Sequence, residues 1–337
     1  DTTFNKVGFS KDSQWGQLQA SMPLGDPTYR GPHYGSDIAD VTTAYTLLGG
    51  ADRISMDIEC FKGVTKEHFG YFDKSPKDAE RIRAMAKEKG TSVEDVFTDY
   101  GTEMMADLQD ALRKTNNELG IRKDPVLMVW GTCADEGNPM EGLFDYKKLY
   151  PMYTKLLNPS VYFESDPRKI GDRIKTHRRI LKNNDFIACL TMRWKRNDLA
   201  HTELRDQILE CFYNGAGGID YWPLAFDQND AYGQLLAFKE IFPFESIIVN
   251  GEFICQTADE SPTQIVGFVY KNEAVLLISN YQEGDIETEV ANPLKQKSTV
   301  YSVSSGTALG EVKQDAAFSV TLSDRRTCVI YFGNQYE

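Results

Sequence analysis

The stretch Asp52-Arg53-Ile54-Ser55-Met56-Asp57-Ile58-Glu59 decides how this chain is read. In an extended strand successive side chains take opposite faces, so Ile54, Met56 and Ile58 share one side and Ser55, Asp57 and Glu59 the other. The apolar side suits a layer of helices. The acidic side must then look into a sheet or barrel interior, where two carboxylates are costly unless paired or hydrogen-bonded. Such a cost is tolerated where chemistry needs it, and the C-terminal ends of barrel strands are where that fold reacts. A purely structural reading makes Asp57 a hydrogen-bond acceptor and pairs Glu59 with Lys62.

Outward from this strand, short β-branched or aromatic runs alternate with helical stretches from Lys6 to about Pro243, the pattern of βα units and a parallel sheet. Six strands are expected: Val7 to Phe9, Ile54 to Glu59, Val126 to Trp130, Val161 to Glu164, Phe186 to Met192 and Gly218 to Trp222. Helices are expected over Asp37 to Leu48, Pro76 to Lys89, Ser92 to Leu119, Tyr146 to Leu157, a run opened by Asp166-Pro167, His201 to Tyr213 and Asn229 to Ile241. Ser36 and Asp166 sit where N-caps belong, Pro167 takes the first helical position, and Gly49-Gly50 and Gly120 follow helix ends. After Phe244 the helical signal stops. Strands read over Ile265 to Val269, Ala274 to Ser279, Glu287 to Val290, Ser298 to Val303, Phe318 to Leu322 and Cys328 to Phe332, separated by turn clusters such as Lys271-Asn272-Glu273. The expected fold class is therefore α/β, a (β/α)8 TIM-type barrel over 1–244, followed by an all-β sandwich over 245–337.

Composition narrows the function. The 337 residues carry 37 Lys and Arg against 50 Asp and Glu, a net charge of −13, which argues against a nucleic-acid grip and an anionic-membrane patch. With 41% hydrophobic residues there is enough for one large core or two smaller ones. The longest apolar runs, Ile247 to Val249 and Ala274 to Ile278, fall far short of the ~20 residues of a membrane-spanning helix. The six cysteines lack any C-x-x-C pair and read mainly as buried thiols, with a Cys255 to Cys328 bridge left open. The four histidines, His33, His68, His177 and His201, form no H-x-H or H-E-x-x-H, which sets a metal-dependent hydrolase aside. No G-x-G-x-x-G or P-loop follows a strand, so a nucleotide cofactor is not implied. No cofactor and no metal are expected.

Further carboxylates fall near other strand ends: Asp135 and Glu136 after Val126 to Trp130, and Glu164 after Val161 to Phe163. Asp166 precedes a proline and a helical run, which favours a cap over catalysis. Facing carboxylates at a barrel mouth are what glycosidic cleavage needs, one protonated for the leaving oxygen and one ionised as nucleophile or base. Aromatics gather at the same ends: Trp130, Trp194 beside Arg193, and Tyr221-Trp222 with Asp227 shortly after. Flat rings stack on sugar faces while Arg and Asp bind hydroxyls. The segment from Trp15 to Gly35, without periodicity, reads as a βα loop walling a cleft.

With these residues in view, the chain resembles (β/α)8-barrel glycoside hydrolases with a C-terminal β-sandwich. Asp52-x-x-Ser55-x-Asp57-x-Glu59 is similar to the D-x-x-D-x-D-x-E signature on the fourth strand of chitinase-like barrels, with Ser55 where that pattern has Asp. That resemblance implies Glu59 as the acid and Asp57 as its helper. Resemblance to the α-galactosidase-like clan instead implies Asp57 as nucleophile, with Glu164 or Asp166 as the acid. Gly215 to Trp222 resembles the last barrel strand of many glycosidases, and Phe318 to Leu322 with Cys328 to Phe332 resembles the closing strands of their sandwich domains. The implied partner is a carbohydrate, with no nucleic acid and no membrane insertion, in a secreted or periplasmic setting. A non-catalytic glycan-binding protein on the same barrel is the alternative.

A closed barrel takes roughly 250 residues and eight strands. With six strands ahead of the sandwich, the expectation is a barrel lacking two upstream βα units, with an open edge at Val7 to Phe9.

Overall fold

In the computed structural model the described residues are 9–10, 19–20, 53–57, 76–93, 95–96, 99, 110, 113–114, 117–118, 120, 126–132, 140–141, 144–145, 156–161, 166–182, 186–191, 200–222 and 227–333. The chain divides into two compact units, Asp1–Pro159 and Ser160–Glu337.

In the first unit β1 (Phe9–Ser10) pairs antiparallel with β2 (Gln19–Ala20). This corrects the expectation of a parallel barrel strand at Val7 to Phe9: the described part is a two-residue rung whose partner lies ten residues on, and Val7 and Gly8 lie outside the described residues. Strand β3 (Arg53–Asp57) runs parallel to β4 (Val126–Thr132), with Arg53 opposite Val126 and Asp57 opposite Trp130. Between them helix α1 spans Pro76–Lys89, as its proline start and basic last turn predict. Gly120 takes a φ of 69°, the left-handed turn expected of a glycine that ends a helix. A short antiparallel pair, β5 (Met140–Glu141) and β6 (Phe144–Asp145), follows.

The next strand, β7, is Leu156–Ser160. It lies upstream of the expected Val161 to Glu164, in residues whose apolar pair Leu156-Leu157 reads as the end of a helix. Only Val161 of the expected strand extends the ladder, its N–H donating to the Cys189 carbonyl at 2.9 Å, and its side chain is fully buried. Pro159 sits one residue from the strand end, where a missing N–H costs one ladder bond at most.

The second unit repeats the βα pattern with readable caps. Helix α2 is Pro167–Leu181, capped by Asp166 accepting from Arg168 N at 3.0 Å. Strand β8 (Ile187–Thr191) runs parallel to β9 (Gly218–Trp222), with helix α3 (His201–Tyr213) between them. Helix α4 (Gln228–Ile241) leads through a 3-10 turn, Phe242–Phe244, into α5 (Glu245–Asn250). That short helix corrects the expectation of no helix beyond Phe244. Phe244, Ile247 and Ile248 stand at i, i+3 and i+4 and are all buried, so the apolar run there serves a helical face.

The remainder is antiparallel. Strands β10 (Glu252–Cys255), β11 (Thr263–Tyr270), β12 (Glu273–Asn280), β13 (Ile286–Ala291), β14 (Ser298–Ser302), β15 (Thr307–Val312), β16 (Ala317–Leu322) and β17 (Thr327–Gly333) form a six-stranded sheet ordered β10-β11-β12-β17-β14-β15 and a ribbon, β13-β16. Sequence reading misses β10 and β15. Val290 and Leu322 of the ribbon join Ile265, Leu276, Ile278, Val300, Ile330 and Phe332 of the sheet in one buried core, which makes the domain a sandwich. Along β12 both faces are buried. Ala274, Leu276 and Ile278 fill the sandwich core, whereas Val275, Leu277 and Ser279 turn the other way, toward the helices. A strand buried on both sides reads as a continuous apolar run, as Ala274 to Ile278 does. Cys189 and Cys211 are buried thiols; Cys255 and Cys328 are both free, so the bridge between them is not formed. Cys60 and Cys133 lie outside the described residues.

What fastens helix α3 to its neighbours is charge. Arg205 donates to both oxygens of Glu240 in α4, at 2.9 and 2.7 Å, and to Asp206 and the Thr327 hydroxyl. Asp206 also accepts from Thr327 Oγ1 at 2.8 Å and Arg326 Nε at 3.0 Å. One guanidinium thus ties two helices to the closing strand β17. Removing it strands the buried Glu240 carboxylate and leaves Asp206 with Arg326 and Thr327 alone. Arg205→Ala is expected to cost about 3–5 kcal/mol, read as a lowered denaturant midpoint with an unchanged slope, and a loss below about 1 kcal/mol would refute the role given to this pair.

Candidate active site

Of the expected site residues that are described, Asp57 and Trp222 end parallel strands, Tyr221 precedes one such end, Trp130 lies inside β4 and Asp227 stands at a helix start. In the first unit, Asp57 closes β3 and is paired in register with Trp130 of β4, so these two of the expected residues are brought side by side along the backbone. Glu59, Asp135 and Glu136 lie outside the described residues.

In the second unit Trp222 closes β9 in register with Thr191, the last residue of β8. Glu164, Arg193 and Trp194 lie outside the described residues. The hydroxyl of Tyr221 is buried, and burial, followed by the nearness of Cys211 on α3 and Asp230 on α4, raises its pKa well above the usual tyrosine value. The tyrosine hydroxyl thus lies among groups of α3 and α4. Asp220 of the same strand stands in register with Cys189 of β8. Sequence reading passed Asp220 over by selecting strand ends. The alternation Ile219-Asp220-Tyr221-Trp222 was the available signal.

Asp227 has a different occupation from the one expected. Its carboxylate accepts from Asn229 N at 2.8 Å and Asp230 N at 3.0 Å, while Asp230 Oδ2 accepts from Asp227 N at 3.0 Å. This is a reciprocal capping box at the start of α4, and it fixes the carboxylate on backbone donors. Asp166 is engaged in the same way on α2. His177 of α2 is fully buried, meets Phe186 edge-on at 4.8 Å, and is pushed down to about 3 by burial, so it stays neutral at physiological pH. Among the described residues no cluster of three His, Cys, Asp or Glu side chains forms a metal site, and no helix is long and apolar enough to cross a membrane.

No protein-family model and no curated protein matches the sequence. Solved structures do match. A GH27 β-L-arabinopyranosidase from Geobacillus stearothermophilus aligns over 97% of this chain and 67% of its own, with a TM-score of 0.63 and 10% identity. AmyP in complex with maltose aligns over 98% of this chain and 74% of its own, at 0.55 and 8%. An Anoxybacillus α-amylase aligns over 91% and 64%, at 0.50 and 10%. The fold is that of the barrel glycoside hydrolases. These neighbours are TIM barrels with C-terminal β domains, so the barrel-plus-sandwich order expected from sequence is their order too. The chain spans 61% and 67% of the length of two arabinopyranosidase structures it matches. Asp57 and Trp222 end their described strands, β3 and β9.

The capping geometry of Asp227 is directly testable. Asp227→Ala is expected to lower stability by about 1 kcal/mol and Asp227→Asn by only a few tenths, because an amide oxygen still accepts from the helix N–H groups. Thermal unfolding of both variants checks this; equal losses would deny the cap.

Proposed function

We propose that this chain is a glycoside hydrolase acting on an oligo- or polysaccharide. The observation that carries the reading is Asp57 at the C-terminal end of a parallel strand, in register with Trp130, in a chain whose fold is shared with glycosidases. Glycosidic cleavage passes through an oxocarbenium-like state flanked by two carboxyl groups, one giving a proton to the leaving oxygen and one ionised to attack the anomeric carbon or activate water. Asp57 is proposed as the ionised partner. Glu59, two residues on along the same alternation, is the first choice of proton donor, with Glu164 and Glu136 next. Trp130, Trp194 and Trp222 are proposed to stack on sugar rings, and Asp135 and Arg193 to bind hydroxyls. Asp220 joins this group because it lies two residues before Trp222 in β9.

The test is hydrolysis of a glycan panel by the purified chain across pH 4 to 8. Glu59→Gln and Asp57→Asn keep shape and remove, respectively, the proton and the charge. Each is expected to lower kcat by about 10²–10⁴-fold with substrate binding retained, the size of a lost acid or base. Full activity of Glu59→Gln would move the acid to Glu164 or Glu136. Oligosaccharide binding by the wild-type chain with no reducing-end release at any pH would replace the enzyme by a glycan-binding protein.

A further inference from the structure

Glu210 lies fully buried in the middle of α3, where it joins the helix to the antiparallel sheet. Its Oε1 accepts from Ser279 Oγ of β12 at 2.6 Å and from the Tyr281 hydroxyl, just beyond β12, at 2.7 Å. Its Oε2 accepts from Asn214 Nδ2 at 2.8 Å, and the Gln264 amide of β11, with its nitrogen turned to the carboxylate, lies 3.2 Å away. Gly171 of α2 lies against the same oxygen so closely that an added Cβ would collide with it. Every partner of Oε2 is an amide nitrogen, which only donates. Both partners of Oε1 are hydroxyls, which donate or accept. The site therefore accommodates a protonated carboxyl as readily as an ionised one, with the proton on Oε1.

We propose that Glu210 is a proton-operated latch that, protonated, locks helix α3 onto the antiparallel sheet and, ionised, loosens that joint. Burial, against the opposing bonds from Ser279, Tyr281 and Asn214 and with a lesser push from the Asp206 charge one turn earlier, holds this carboxyl up at about 8. A folded-state value above the ordinary carboxylate value means that the folded chain holds a proton the unfolded chain releases. The stabilisation is then complete below about pH 4.5 and is lost as pH climbs through about 8.

The surrounding charges leave this titration to Glu210. From α2, Lys175 is held by Asp172 at 3.2 Å and Asp259 at 3.0 Å, and Arg168 stands 5.6 Å over the Tyr281 ring. On α3, Asp206 is bound by Arg205, Arg326 and Thr327. From the sheet side Gln264 and Ser279 are neutral, and Tyr281 is raised well above its usual value, first by burial and then by Glu210. His177, held near 3, does not titrate in the same range.

Glu210→Gln imitates the protonated state, its amide nitrogen facing the hydroxyls and its oxygen facing Asn214 and Gln264. In the full chain, thermal midpoints are measured between about pH 5 and pH 9, together with hydrogen exchange of residues 204–213 and 273–280. The wild type is expected to lose midpoint and protection as pH rises, and Glu210→Gln to hold both. Parallel profiles overturn the proposal. Carbon-detected NMR titration of the Glu210 carboxyl should place its midpoint about two pH units or more above an ordinary glutamate; an ordinary midpoint refutes the latch. Should Glu210→Gln fail to fold, Ser279→Ala decides. It removes a donor that favours the ionised form and should move the midpoint upward, whereas a fall or no change counts against the proposal.

Discussion

The bidentate pair between Arg205 and Glu240 sits where two helices and the closing strand of the sandwich meet, and its neighbours are arranged around keeping it satisfied. Helix α3 is buried at every position from Leu204 to Cys211, and four of those eight residues are polar or charged. A helix in that setting cannot leave a charge to water, so each must find a partner in protein. Arg205 finds Glu240, Asp206 and Thr327; Glu210 finds hydroxyls and amides. Because those partners come from α4, β11, β12 and β17, satisfying one helix also fixes where the sandwich rests. Apolar contact alone would tolerate sliding, since burial is non-directional. The fork of a guanidinium does not.

The fold was legible wherever a period and a punctuation mark agreed. Helix α1 begins at Pro76 and ends at Lys89, and α3 runs from His201 to Tyr213, both as read from apolar spacing and caps. Strand β9 matches Gly218 to Trp222 to the residue because Gly217 marks the turn before it. Where two signals competed, the reading slipped. Leu156-Leu157 belongs to a strand although the run before it looks helical, and Phe244, Ile247 and Ile248 belong to a helix although the region beyond is all strand. In each case a short apolar run fits both periods, and packing decides.

Of the candidate site, the strands were more legible than the side chains. The strand expected over Ile54 to Glu59 is described as Arg53–Asp57, and Asp57 stands at that end. Asp227 stands directly ahead of α4, and an aspartate in that position serves backbone donors. No sequence pattern announced the Glu210 cluster. Its members at 210, 214, 264, 279 and 281 come together only when a helix is laid across a sheet.

These distinctions sort the chain's abundant acid. Among the described carboxylates, Asp166, Asp227 and Asp230 are engaged at helix starts, where the positive end of the helix dipole favours them. Asp206, Glu210 and Glu240 are buried between helices and sheet and are held by named donors. Asp57 and Asp220 stand instead in parallel strands: one ends β3 in register with Trp130, and the other lies in β9 two residues before Trp222. An acidic residue near the C-terminal end of a parallel strand stands where a barrel carries its reacting groups. That is the physical ground for looking to the strand ends for chemistry.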